Sequence, residues 1–358
     1  MYVFLMFSLM LLLVSCIKDA TNPDLPVPRP QSGSKGVFIL NQGNFMYQNA
    51  SLSFYDQQSR TLFNNVFYQA NGIPPGDVMQ SMAVKDSLGF LVMNNSGKIH
   101  VINLNTFKIS GKITGFTSPR YIHFLNQEKA YVSDLYAKRI WIVDLKSLEI
   151  TGFVDLSGNS SLGNGHSSEM MIQYRNYVFT NSWSYDDKIL VIDTETDRLI
   201  DSISVIFQPA SVALDKNNKL WVLSDGGFQG NPYGYERPGL TRIDAETLEI
   251  EEVIYFELDD FPQKMAINRQ RDTIYFINRH VFRYAVNAAL PPGLFIQSPY
   301  QTSIGGFYGL AIDPLTSEIY IADALDNVQP GLIYRFSPAG AELDTLRVGI
   351  IPGNFCFW

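Results

Sequence analysis

"SPRYIHFLNQEKAYVSDLYAKRIWIVDLKSLEI", residues 118–150, decides the fold. It holds short runs rich in Val, Ile, Tyr, Phe and Trp, each broken by Asn, Asp or Ser, which is the pattern of strands joined by tight turns. Its pieces recur. Runs like "KAYVSD" appear as "GVFILN", "GFLVMN", "NYVFTN", "KLWVLS", "TIYFIN" and "EIYIAD", about every forty to fifty residues from residue 36 onward. A second strand and a turn follow most of them, as "SFYDQQS", "VINLNT", "IVDLKS", "VIDTET" and "RIDAET".

The turn has a form of its own: Asp or Asn, then Ser or Thr three residues on, then Leu or Ile after three more. Asp56/Ser59/Leu62, Asn103/Thr106/Ile109, Asp144/Ser147/Ile150, Asp193/Thr196/Leu199 and Asp244/Thr247/Ile250 fit it. Short polar side chains there bond the turn backbone. The last two units, "FRYAVNAALPPG" and "YRFSPAGAELD", have lost it.

A further strand precedes each later run, with two apolar residues flanking one other. These are Met82/Val84, Ile122/Phe124, Met170/Ile172, Val212/Leu214, Met265/Ile267 and Leu310/Ile312, and Pro119, Pro209 and Pro262 precede three of them at one offset. Four strands per unit at this period predict a β-propeller. The first unit lacks its leading strand. "PGNFCFW" at the C-terminus repeats the spacing with Pro352 and Phe355/Phe357, so it supplies that strand and closes the ring. The expectation is an all-β, seven-bladed β-propeller over residues 36–358; six or eight blades follow only if a degenerate unit is miscounted. The central residues are Ala83, His123, Met171, Ala213, Ala266, Ala311 and Cys356, mostly small, as converging strands near a narrow axis require. Cys356 reads as a small buried hydrophobe.

"VFLMFSLMLLLV", residues 3–14, is shorter than a bilayer-spanning helix and has the length of a signal-peptide apolar region. Leu13-Val14-Ser15-Cys16 resembles the bacterial lipobox, which implies a signal peptide over 1–15 and lipidation at Cys16. Pro23, Pro26, Pro28 and Pro30 make residues 16–35 an extended tether. The expected location is the outer membrane, lipid-anchored and facing outward, since Lys18-Asp19 resembles a surface-export signal of Bacteroidota lipoproteins.

Charge and composition exclude several functions. A net charge of −8 with 17% charged residues argues against a nucleic-acid partner. Spacings such as CxxC and HExxH are absent, and Cys16 and Cys356 are the only cysteines, so no metal site, cofactor or disulfide is expected. No catalytic residue is assigned.

One face of such a ring is built from the mouth ends of the inner strands and the loops between second and third strands. The inner-strand starts carry Gln80, Arg120, Tyr121, Glu169, Gln263, Lys264, Tyr308 and Asn354, with Glu169 facing Arg120 and Lys264 in an ion pair. The loops add Tyr136, Trp183, Tyr185 and Tyr235, and amides such as Asn41, Gln42 and Asn44. The loop "SDGGFQGNPYGYERPG" (224–239) is unusually long for its place. Aromatics with amides suit a bulky ligand with polar edges, such as a corrinoid or an oligosaccharide. His166 beside Glu169 could imitate an acid/base pair, as in propeller lactonases, and His280 is placed in a face loop; no convergent set of carboxylates or histidines accompanies them.

"GVFILNQGNFMYQNASLSFYD", "GDVMQSM" (76–82), "SPRYI" (118–122) and "KLWVLSDGG" (219–227) resemble, in order and spacing, a family of Bacteroidota surface lipoproteins with YncE-like propellers. Gln42 stands where that family more often has Glu. The BtuG-type branch captures cobalamin and caps a TonB-dependent transporter, so the resemblance implies a non-catalytic ligand-capture role with a corrinoid ligand and a TonB-dependent outer-membrane transporter as partner. A glycan- or protein-binding propeller and a lactonase-like hydrolase remain the alternatives.

Overall fold

A computed structural model describes residues 30, 33–160, 163–299 and 306–358. Cys16, the signal segment and most of the tether lie outside these residues. Seven four-stranded antiparallel sheets form a ring, joined by one two-stranded hairpin, Asn159–Ser160 with Gly163–Asn164. The inner strands of blades two to seven are Met79–Lys85, Pro119–Phe124, Met171–Tyr174, Pro209–Leu214, Gln263–Ile267 and Phe307–Ile312. Blade one takes its inner strand, Pro352–Phe357, from the far end of the chain: Val37 pairs with Phe357, Phe38 with Cys356 and Leu40 with Asn354. The protein is a seven-bladed β-propeller closed by its C-terminal strand.

Strand alternation explains why the ring holds. Successive side chains point to opposite faces of each blade, and both faces are covered by neighbours. One apolar cluster fills each of the seven gaps between blades. Second-strand residues anchor them: Phe38 and Leu40 face blade two, Val37 and Ile39 face blade seven. In the closing strand, Phe355 and Phe357 meet the Tyr320 ring of blade seven, with centroids 5.9 and 5.6 Å apart. Cys356 and Trp358 pack the other way, into the gap with blade two. Cys356, on the innermost strand, is therefore also a wedge between two blades. Burial pushes its thiol up to about 12.

The repeated turns behave as their composition requires. Asp56, Asn103, Asp144 and Asp244 each accept from the two backbone N–H groups that follow at i+2 and i+3. Lys219 and these turn amides hold the Asp244 carboxyl down near 2.

One expectation needs correction. In blade four Ile172, not Met171, is the central residue: it pairs with Phe179, as Ala83 does with Phe90 and His123 with Tyr131. Three apolar residues in a row, Met170 to Ile172, hide the register, because a one-residue slip costs nothing in the pattern. A short helix, Val66–Asn71, also stands between blades one and two, where sustained helical periodicity is absent. It buries Val66 and Phe67 over the edge of the first gap. Among the described residues no helix is long and apolar enough to cross a membrane.

Candidate functional site

The mouth of the channel is built by one repeated irregularity. At the mouth end of six inner strands the ladder register slips, leaving Gln80, Arg120 with Tyr121, Ala210, Lys264, Tyr308 and Gly353 without a one-to-one partner. A bulge bends its strand and re-aims the extra side chain. Glu169 takes the corresponding place in blade four, three residues before Ile172. Lys264 also has φ at 47°, a left-handed conformation that ordinary residues rarely adopt.

These residues meet across blades. Arg120 donates from Nε to Glu169 Oε2 at 2.8 Å and from Nη1 to Gln80 Oε1 at 2.7 Å. Arg120 thus joins blades two, three and four. Asn354 Nδ2 donates to the Gln80 carbonyl at 2.6 Å, and Gln263 Nε2 to the Phe307 carbonyl at 3.3 Å. Tyr308 donates its hydroxyl to Gln42 Oε1 at 3.0 Å. Gly353 makes that approach possible: a Cβ there would lie 2.3 Å from Gln42 Nε2.

The electrostatics follow from low solvation. Burial disfavours the Arg120 cation, but Glu169 beside it outweighs that and raises its pKa. Burial, reinforced by Glu169, pushes the Tyr121 hydroxyl up to about 12, and burial raises Tyr308. Lys264 goes the other way, down to about 8, through burial and then the like charge of Arg120, with Glu169 only partly offsetting them. Glu169 is 5% exposed and its Oε1 has no hydrogen-bond partner.

The loop aromatics form an outer rim. Tyr136 is 65% exposed, and Tyr185 packs on Tyr233 with ring centroids 5.1 Å apart. Tyr235 donates its hydroxyl to the Leu258 carbonyl at 2.9 Å. Phe45, Met46, Tyr47, Phe228 and Phe261 are exposed on the same face. Among the described residues, Trp183, Tyr185 and Tyr235 bond or stack with loop partners and not with the mouth cluster. The sequence-predicted set therefore divides: Gln80, Arg120, Tyr121, Glu169, Gln263, Tyr308 and Asn354 at the mouth, Tyr136, Trp183, Tyr185 and Tyr235 around it.

Sequence reasoning passed over Asp225. Trp183 Nε1 donates to its Oδ2 at 2.8 Å and the Gly227 N–H to its Oδ1 at 2.9 Å, while burial pushes its pKa up to about 6. It roots the long loop, whose Gly226 sits at φ 74° with a would-be Cβ 2.2 Å from the Glu236 carbonyl. The histidines are engaged structurally. His166 Nδ1 contacts Asp186 Oδ2 at 2.5 Å, with the Ser182 hydroxyl donating to the same oxygen at 2.9 Å. His280 begins a strand instead of lying in a loop, and His123 meets Gln173 Oε1 at 3.1 Å. Among the described residues no three His, Cys, Asp or Glu side chains come together as a metal-holding group.

Comparison with solved structures places the fold among known propellers. A quinonprotein alcohol dehydrogenase-like protein from Bacteroides thetaiotaomicron superposes with TM-score 0.67 at 16% identity, over 90% of this chain and 78% of that one. The periplasmic gluconolactonase of Pseudomonas aeruginosa does so with TM-score 0.67 at 10% identity, over 90% and 98%. The hydrazine synthase of Kuenenia stuttgartiensis gives 0.61 at 14%, over 75% and 86%. At these identities the likeness is one of fold alone. No curated protein matches the sequence. Residues 35–348 match a family described as a domain of unknown function, DUF5074. That span takes in nearly all of the ring, and the chain belongs to the DUF5074 family.

Proposed function

We propose that this chain is a surface-anchored lipoprotein that captures a corrinoid without transforming it and passes it to a TonB-dependent outer-membrane transporter. One observation carries the reading: a rim of exposed aromatics encircles a narrow mouth lined by amides and phenols. A corrinoid is a broad ring with amide-bearing edges. Flat aromatic surfaces cover its faces at low entropic cost, and Gln and Asn side chains answer its amides as donors or acceptors. Anchoring rests on the lipobox at Cys16, and delivery to a transporter on the resemblance to surface lipoproteins.

The mouth supports binding better than hydrolysis. Its one acid, Glu169, holds Arg120 through Oε2, and among the described residues no further carboxylates or histidines join it in a metal-holding group. Calorimetry with cyanocobalamin tests the ligand; absence of heat at micromolar protein overturns it. Signal on a glycan array with none for cyanocobalamin would transfer the reading to an oligosaccharide. Lactone hydrolysis dependent on a stoichiometric divalent ion would replace it with an enzyme. Labelling of Cys16 by radioactive palmitate, and protease accessibility on intact cells, test the anchor and its face.

A further inference from the structure

We propose that the channel mouth holds one singly charged oxygen group of its ligand, a carboxylate or a phosphodiester, between Lys264 and Arg120. The inference rests on the mouth being the ligand site and adds the charge its ligand must carry there.

The charges at the mouth do not balance. Arg120 and Lys264 bring two cations, and Glu169 brings one carboxylate, which pairs with Arg120 at 2.8 Å. The Lys264 ammonium has no ion pair or hydrogen bond among the described residues. The residue is nonetheless half-buried on a bulge with a left-handed backbone, within the electrostatic reach of Arg120 and Glu169. Arg120 uses Nε and Nη1 on Glu169 and Gln80, and among the described residues its Nη2 has no partner. A half-buried ammonium without a counter-ion is costly and, in a chain of net charge −8, is not part of a general basic surface.

One negative charge neutralises the set; two would reverse its sign beside Glu169. A monoanion is therefore favoured over a phosphate monoester. Tyr121 and Tyr308 retain their protons to high pH, so their hydroxyls remain neutral lining groups. Binding also has a proton signature. Arg120 and Glu169 are the charged groups that face Lys264, with Tyr121 and Tyr308 beside Arg120. Lys264 ordinarily loses its proton near 8, and a bound anion restores it. Affinity therefore declines as pH rises through that value.

The test uses the purified protein in sodium acetate or sodium dimethyl phosphate against sodium chloride at equal ionic strength. Wild type, Lys264→Met and Lys264→Gln are compared with Lys146→Met, an exposed lysine in a turn of blade three. Wild type and Lys146→Met should melt about 2 °C higher in at least one oxyanion than in chloride at pH 7, and lose that gain at pH 9.5. Both Lys264 variants should show no gain. Equal responses in wild type and both Lys264 variants overturn the inference. Cyanocobalamin separates the two readings. Lys264-dependent response to dimethyl phosphate without cyanocobalamin binding keeps the anion site and removes the corrinoid. Cyanocobalamin bound equally with and without Lys264 removes the anion site alone.

Discussion

Asn354 Nδ2 donates to the backbone carbonyl of Gln80 at 2.6 Å, so the last strand of the chain is tied to the first complete blade at the channel mouth. At its other end the Trp358 N–H donates to the Gly36 carbonyl at 2.9 Å. Deleting residues 353–358 removes both ties, uncovers Phe38 and Tyr320, and leaves an unpaired edge on Gly36–Asn41. Each large apolar side chain lost from burial costs about 1.5–3 kcal/mol. The truncated protein should melt more than 10 °C lower, by a rough estimate, bind a hydrophobic dye and self-associate through the open edge. Melting like the full chain would show that closure contributes little.

Arg120 and Glu169 should fail separately and succeed together. Arg120→Met leaves Glu169 charged and buried, and Glu169→Gln leaves Arg120 facing Lys264. Either change should cost about 3–5 kcal/mol in urea unfolding, whereas the double variant should cost less than the sum. Additive losses would mean that the pair acts as two independent contacts.

Asp225 sets a pH dependence whose sign is opposite to that of most carboxylates. Its folded value, about 6, lies above the ordinary 3.8, so between these values the folded protein keeps a proton that the unfolded chain has released. Stability from this group is full below about pH 4, declines as pH rises to about 6 and then levels off, a total of about 3 kcal/mol. Asp225→Asn should flatten that segment of the melting profile. An unchanged profile would assign the dependence elsewhere.

Tyr136 is exposed and, among the described residues, its side chain makes no hydrogen bond or ring contact, so Tyr136→Ala should leave the melting temperature within about 1 °C. The same change, and Tyr185→Ala, should weaken cyanocobalamin binding by about tenfold if the rim stacks on the ligand. Unaltered titrations would place the ligand away from the rim.

Cys356 should be chemically silent in the folded state. With its thiol pushed up to about 12, the thiolate fraction at pH 8 is on the order of one in ten thousand. An aromatic disulfide reagent should label it only after denaturation, as read by peptide mass. Fast labelling of the native protein would contradict its packing between blades one and two.

The ring was legible because Pro352, Phe355 and Phe357 repeat the spacing of Pro119, Ile122 and Phe124, and a strand's period of two fixes which side each residue faces. Blade four was misread at Met171 for the same reason in reverse. Its three apolar residues carry no alternation, and only the pairing of Ile172 with Phe179 settles the register. The mouth residues could be collected from strand starts, and the Arg120–Glu169 pair from their opposite charges. Lys264's lack of a partner could not, because it depends on which cation Glu169 faces in three dimensions. Asp225 escaped because "SDGG" reads as an ordinary turn; the partner that bonds its carboxylate, Trp183, is far along the chain.

The bulges give the mouth an unusual freedom. Gln80, Arg120, Lys264 and Tyr308 contribute no one-to-one rung to the sheets, so exchanging any of them leaves the blade registers and inter-blade cores in place. The strand pairing that closes the ring and the side chains that line its mouth are thereby largely separate, with Asn354 and the Arg120–Glu169 pair belonging to both. A lineage can rewrite the inner circle of side chains one blade at a time while inheriting the same wheel.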